Sequence, residues 1–426
     1  MKWSLFVFVF LSRLVFASPI IDEELYVIGS VEEVKDLAQS GSIVIDHVTE
    51  YGFELYGPAG LKKHLTERGI RVFEQNKDKG INDYPTFEEI TEKLIEFSRA
   101  RPDIMKLFSI GKSVQGRDLW VMKISDNVEV DEVEPEFKYI SSMHGDEIVG
   151  RELTMRLIEK IANEYDSNQL LRDLVNNTEI YIMPSMNPDG SFSRRRVNAR
   201  RIDLNRNFPD IIRDRDNNPT TREPETQAVM KFQSERNFSL SANFHGGSMV
   251  VNYPWDSTYN LHPLNDLLID LSLSYSRACS EMYESSRFNQ GITNGANWYL
   301  VRGGMQDWSY FWFDDLQLTL EVSDDKWPRY SEIESFWEGQ KDSMVNLMQK
   351  VHQGAGFRMQ DKSASGSVKI SQLSPKTRDL GSFRYQRGEF YKVLEVGNYR
   401  LSLDNGMTFM MSVSSEVATD GNYKEI

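Results

Sequence analysis

Residues 137–147 read Phe-Lys-Tyr-Ile-Ser-Ser-Met-His-Gly-Asp-Glu, and a long stretch from Arg151 to Tyr165 with apolar residues at helical spacing follows. The first stretch predicts a strand from Phe137 to Ser142 that opens into polar residues, and the second predicts a helix. Working outward, helix Phe87 to Arg99 and strands Lys106 to Ile110, Leu119 to Ile124 and Ile180 to Pro184 continue the alternation. Further strand-like runs lie at Ser239 to Phe244 and Leu316 to Val322. Strands alternating with helices point to an α/β sheet with helices on both faces. Long irregular loops follow the strands, which is where sites tend to sit.

The flanks differ in character. Residues 1–17 resemble a secretory signal: Lys2 is followed by the apolar run Leu5 to Phe10 and the small residue Ala17. No later segment reaches the ~20 apolar residues that a membrane span needs. Residues 18–80 predict a small α+β module, a possible propeptide. Its strands are expected at Glu24 to Ile28, Ser42 to Val48, Gly52 to Tyr56 and Ile70 to Phe73, and its helices at Val31 to Ala38 and Gly60 to Arg68, with Ser30 as an N-cap. The charged run 75–80 is read as a linker. The large unit then spans 81–353. From Gly354 helices stop, and short strands separated by turns predict a β-sandwich over 354–415. A polar tail, 416–426, is expected to be frayed.

Composition excludes some classes. The chain has 426 residues and a formal net charge of −15, which argues against a nucleic-acid surface. Cys279 is its one cysteine, so no intrachain disulfide is possible. A chain this long can bury a sufficient core without one. Asn176-Asn177-Thr178 and Asn237-Phe238-Ser239 fit the glycosylation pattern, which suits a protein of the secretory lumen or one that is secreted.

The chemistry concentrates at strand ends. His144 and Glu147 can face one cation, with Gly145 allowing a turn between them. Alone, such a pair is as readily a polar strand-end cap. His245 also ends a β-like run, beside Gly246-Gly247. Two imidazoles and a carboxylate leave a fourth tetrahedral position open, as catalytic zinc requires. Taken singly, His245 reads better as a hydrogen-bonded core histidine. Glu321 lies near the end of Leu316 to Val322, where a buried carboxylate needs a partner; a metal-activated water supplies one. The loop from Arg194 to Phe208 is rich in arginine, a side chain suited to bidentate carboxylate recognition and to oxyanions.

Together these residues resemble the zinc metallocarboxypeptidases, closest to the regulatory branch with carboxypeptidases D, E, M and N. The motifs MHGDEIVGRE, MPSMNPDG, RVNARRIDLNRNFPD, NFHGGSMVVNYPWD, NGANWYLVRGGMQDWSY and LTLEVSDDKWP carry the resemblance from about Tyr84 to Val351. It implies a mixed twisted sheet and a transthyretin-like tail domain. It implies one Zn2+ held by His144, Glu147 and His245, with Glu321 as general base and Arg196 polarising the scissile carbonyl. Asn205 and Arg206 would grip the terminal carboxylate, and Tyr299 would close over the substrate. Asp256 and Gln306 match pocket residues that favour Lys or Arg. The expected enzyme is a monomeric exopeptidase acting on peptide or protein C-termini. Hydrophobic specificity, an inactive peptide-binding homologue and a zinc deacylase of acyl-amino acids are the alternatives. Four features depart from the family pattern: Asp146 replaces a usual Asn, Arg195 and Arg201 replace common glycines, the cysteines common near the Glu321 strand are absent, and the 23–75 segment is untypical of the branch.

Overall fold

The structure is a computed structural model that describes residues 18–74, 84–132, 134–214, 216–414 and 422–426. The leader expected over 1–17 and the linker 75–80 lie outside the described residues.

Strands β1 (Glu23–Ile28), β2 (Val44–Asp46), β3 (Gly52–Gly57) and β4 (Arg71–Glu74) form an antiparallel sheet in the order β2-β3-β1-β4. Leu25, Val27, Phe53 and Leu55 alternate onto its covered face against Leu61 and Leu65 of helix Leu61–Glu67. Ser30 caps the 3-10 turn Val31–Val34 in a reciprocal capping box with Glu33, and helix Lys35–Ser40 continues from it. The strand expected from Ser42 to Val48 is shorter. His47 adopts φ +47°, and that left-handed residue takes the chain out of the ladder just after Asp46.

The central sheet has eight strands: β5 (Met105–Lys112), β6 (Asp118–Ile124), β7 (Glu136–Ile140), β8 (Glu179–Met183), β9 (Phe238–His245), β10 (Ser248–Tyr253), β11 (Ile292–Asn294) and β12 (Leu316–Ser323). Their order is β11-β10-β12-β9-β7-β8-β6-β5. Strands β8, β7, β9 and β12 run parallel, and antiparallel neighbours flank them, so the sheet is mixed. Every residue of β7, β8, β9, β10 and β12 is buried, as expected of strands covered on both faces. Phe137, Tyr139, Ile180 and Ile182 face one apolar cluster with Leu153 and Leu157 of helix Val149–Glu164. Ile140, Tyr181 and Met183 face the other, with Val229 of helix Pro224–Ser234 and Trp308 of helix Met305–Phe313.

The C-terminal strands make two sheets. One contains β13 (Gly354–Arg358), β16 (Glu389–Val393) and β19 (Tyr423–Glu425); the other is β15-β14-β17-β18, from β14 (Gly366–Ser374), β15 (Arg378–Tyr385), β17 (Gly397–Leu403) and β18 (Thr408–Val413). Phe357, Phe383, Phe390, Tyr399 and Phe409 fill the space between them. The expectation of a frayed tail fails at its end. Residues 423–425 pair in parallel with β13, and the Arg358 guanidinium lies 4.1 Å from the Tyr423 ring centre.

Asn237, the acceptor of one glycosylation pattern, lies at the contact between the central unit and this domain. Its Nδ2 donates to Glu389 Oε1 at 2.8 Å, and its Oδ1 accepts from Gln386 at 2.9 Å. Deleting residues 422–426 removes the β19 ladder, and calorimetry should show the transition lowered by about 2–4 °C for each kcal/mol lost. An unchanged transition would mean that this strand contributes nothing to stability.

Candidate active site

The parallel register of β7, β9 and β12 brings their carboxyl ends to one edge of the sheet, where sites of open α/β sheets form. His144 follows β7 in the loop, His245 is the last residue of β9, and Glu321 stands directly opposite His245 on β12. Glu147 lies just before the helix Val149–Glu164. The turn foreseen between His144 and Glu147 is present, closed by the Glu147 N–H to the His144 carbonyl at 3.2 Å, and Gly145 lies in it. What demands glycine there is space. The φ of Gly145 is not positive; a Cβ there would lie 2.0 Å from the Gly190 carbonyl carbon. The left-handed residue of this loop is Ser142, at φ +49°.

His144, Glu147 and His245 converge in a buried cluster able to hold a metal ion. Glu147 Oε2 lies 3.0 Å from His144 Nδ1 and 2.7 Å from His245 Nδ1, and the two imidazole nitrogens are 3.0 Å apart. Those separations approach the ~3.3 Å edge of a tetrahedron with bonds of about 2.0 Å, so the donor set fits zinc. Opposing nitrogens this close, beside an acidic oxygen, make poor partners for one another without a cation. His144 Nε2 meets Asp203 Oδ1 at 3.1 Å, an outer carboxylate of the kind that orients metal-binding imidazoles.

Glu321 is buried, and its Oε2 has no hydrogen-bond partner among the described residues. Burial first, then the carboxylates of Glu147 and Asp46, push its pKa well above the usual carboxylate range. Arg196 is fully buried. Its Nε donates to Asp203 Oδ2 at 2.9 Å, and its Nη1 lies 3.4 Å from Glu147 Oε1. Asn205 Oδ1 accepts from the Met305 backbone N–H at 3.0 Å, which fixes this side chain beside the Gly303-Gly304 turn. Asp256 Oδ1 accepts from Gln306 Nε2 at 3.0 Å and from Asn252 Nδ2 at 3.1 Å. Burial and the neighbouring Asp307 raise the Asp256 pKa, while Asn252 and Arg206 oppose the rise. Asp307 itself accepts from the backbone N–H groups of Asp256 and Ser257, both at 2.9 Å, and so shapes this loop.

The N-terminal module reaches into the same site. Asp46, at the end of β2, accepts from Arg196 Nη1 on Oδ2 and from the Tyr299 hydroxyl on Oδ1 at 2.6 Å. Lys326 Nζ lies 3.3 Å from Asp46 Oδ2. Burial alone would raise the Asp46 pKa, but Arg196 and Lys326 hold it far below the usual range. Arg206 Nη2 donates to the Ile45 carbonyl at 3.1 Å, and Trp298 Nε1 to the Val48 carbonyl at 3.1 Å. Ile21, Val44 and Tyr56 of the module form an apolar cluster with Val197 of the arginine-rich loop.

A family model described as zinc carboxypeptidase matches residues 90–343. The chain belongs to the zinc carboxypeptidase family. It is 39% identical to human carboxypeptidase D over 379 residues, covering 82% of this chain and 27% of that protein. It is 43% identical to carboxypeptidase SOL1 of Arabidopsis thaliana, covering 62% of this chain and 55% of that one. Against mouse carboxypeptidase M the identity is 36%, with 70% and 73% covered. The chain thus spans about a quarter of the length of carboxypeptidase D. The fold matches a crystal structure of carboxypeptidase A from Helicoverpa armigera with TM-score 0.61 at 18% identity, over 78% of this chain and 98% of that one.

His144, Glu147, His245, Glu321 and Arg196 thus lie together, Tyr299 and Arg206 meet the adjacent module residues Asp46 and Ile45, and Asp256 and Gln306 form a hydrogen-bonded pair. Sequence reasoning passed over Asp203, Asp307, Lys326 and Asp46. Asp203 stood in the quoted motif RVNARRIDLNRNFPD, two residues before Asn205, and its alternation with the polar loop residues was a usable signal. Asp46 carried none, because only the docking of the module brings it here. Two of the departures also find places. Arg195 is exposed, and Arg201, at φ +65°, ion-pairs with Asp22 of the module.

Asp203→Asn should weaken zinc affinity by about 10- to 100-fold, measured by chelator competition, while the circular dichroism spectrum stays unchanged. Undiminished affinity would show that the Asp203–His144 contact does not orient the ligand.

Proposed function

We propose that this chain is a zinc-dependent exopeptidase that hydrolyses the last peptide bond of peptides and proteins, with preference for C-terminal Lys or Arg, and that residues 18–80 hold it latent. The observation carrying the reading is the convergence of His144, Glu147 and His245 beside Glu321, Arg196 and Arg206 on one strand edge.

His144, Glu147 and His245 would hold the ion. Bound zinc supplies a Lewis acid that lowers the pKa of a coordinated water to about 7. Glu321, whose proton affinity burial raises, takes the proton of the attacking water and later returns it to the leaving amine. Arg196 is positioned to stabilise the oxyanion, since Asp203 fixes its Nε and leaves Nη1 facing the site. Asn205 and Arg206 bind the free terminal carboxylate, which restricts cleavage to chain ends. Tyr299 closes over that residue. Asp256 and Gln306 line the pocket for its side chain. A Lys or Arg entering there offsets the burial that now keeps Asp256 from ionising, which favours cations over apolar side chains.

The latency reading rests on the same groups. Asp46 occupies Arg196 and Tyr299, and the Ile45 carbonyl occupies Arg206, so the module uses the donors that a substrate needs. The leader residues 1–17 and the partly buried Asn176 of the first glycosylation pattern support a secreted or lumenal location and a glycoprotein.

A panel of peptides differing only in the last residue (Lys, Arg, Leu or Phe), run with and without chelator, tests the activity. Chelator-sensitive release with Lys and Arg favoured is expected, and no release from any of them overturns the reading. Asp256→Ala should lower kcat/KM for Arg-ending peptides by about tenfold or more and leave Phe-ending ones less affected; no change on Arg would remove the basic preference. Asp46→Ala in the full chain should raise activity at least about tenfold, because a buried charged pair is lost from the module contact. Equal activity of the two forms would show that the module does not block the site.

A further inference from the structure

Lys326 follows β12, five residues beyond Glu321, and none of the roles above uses it. Its side chain is only 14% exposed, and every partner that covers it from outside the catalytic unit belongs to the module. Nζ donates to Glu54 Oε2 at 2.7 Å and lies 3.3 Å from both Asp46 Oδ2 and the Tyr56 hydroxyl. Within the catalytic unit the ammonium meets one carboxylate oxygen, Glu147 Oε1, at 3.4 Å. Glu147 is committed to the metal cluster.

The two oxygens of Asp46 divide its partners into two sets. Oδ1 faces Tyr299, the side of Arg206 and of the Asp256 pocket; Oδ2 faces Arg196 and Lys326. The terminal carboxylate and the last side chain belong with the first set. Lys326 belongs to the second set, with the Arg196 guanidinium read above as facing the scissile carbonyl, a position suited to meet the chain that precedes that bond. Burial opposes ionisation of Glu54, yet Lys326 and His47 hold its pKa down at about 2, so the ammonium pairs with a second carboxylate there besides Asp46.

We propose that Lys326 is a specificity-determining residue that binds an acidic side chain within the two residues before the scissile bond, the place that Glu54 takes in the latent chain. The proposal rests on the carboxypeptidase reading above. Once the module leaves, Lys326 loses Glu54, Asp46 and the Tyr56 hydroxyl and keeps Glu147 Oε1 at 3.4 Å, an oxygen of the metal cluster, so the ammonium has hydrogen-bond donors open to a substrate carboxylate. Acidic residues upstream and a basic residue at the end would then be read by opposite charges on the two sides of the reacting bond.

The test uses the full-length, zinc-loaded chain carrying Asp46→Ala and Glu54→Ala, with and without Lys326→Gln or Lys326→Arg. Peptides end in the residue best released in the panel above, with Glu, Ala or Lys at either of the two preceding positions. With Lys326 present, kcat/KM should favour Glu over Lys by about tenfold at one of those positions. Lys326→Gln should bring that ratio to about one, and Lys326→Arg should keep it. Equal rates for Glu and Lys peptides with Lys326 present, or a ratio unchanged in Lys326→Gln, overturns the proposal while leaving the carboxypeptidase reading intact. No release from any peptide overturns both.

Discussion

A guanidinium with no exposure to water must be neutralised where it stands, and around Arg196 that requirement organises the molecule. Its Nε is answered by Asp203 and its Nη1 by Asp46 and, at longer range, Glu147. Asp203 in turn meets His144, and Glu147 meets both imidazoles. One buried cation thus links the arginine-rich loop, the metal cluster and the N-terminal module. Arg196 is the main cation that holds Asp203 and Asp46 ionised against burial, while His144, Lys326 and His245 do the same for Glu147. Removing any one of these carboxylates would leave charge uncompensated in a medium that penalises it heavily.

Through that arrangement a module with its own small core reaches a site on a different sheet. Its grip is mainly polar and aimed at the site. Ile21, Val44 and Tyr56 supply a modest apolar contact with Val197, while Asp46 and Ile45 reach the donors of the candidate site. A contact of this kind resembles a transient interface more than a shared core, so it can be undone without unfolding either partner. The Arg201–Asp22 ion pair and the backbone bond from Ile21 to Arg201 tie the same loop to the module from its outer side.

The site also shows a division of labour between burial and charge. Glu321 and Asp256 are both buried carboxylates with raised pKa values, but their surroundings differ. Glu321 sits beside the metal cluster with one oxygen unpartnered, ready to exchange a proton. Asp256 is fixed by Gln306 and Asn252, and in the reading proposed above it receives a cationic side chain. Burial raises both; the fixed partners separate a proton carrier from a recognition group.

What was legible in the sequence follows from locality. Buried parallel strands read as apolar runs, so β7, β8, β9 and β12 were visible, and the His, Glu and Arg residues at their ends stood out against so few histidines. The capping box at Ser30 and the short strands after Gly354 were equally local. The turn at Gly145 was local and visible, but the stricter demand for glycine, the approach of the Gly190 backbone, is a contact between distant segments. The strand at Tyr423–Glu425 escaped for a like cause: its pairing partner lies some seventy residues earlier, at Gly356 to Arg358. By itself, then, the sequence determined the fold class, the metal-capable triad and the loop residues around it, because periodicity and motif spacing are properties of neighbouring residues. Only the tertiary structure decided that Asp46, Lys326 and Asp203 share one charged cluster with them. The force that assembles that cluster, the compensation of buried charge across modules, has no counterpart in local pattern.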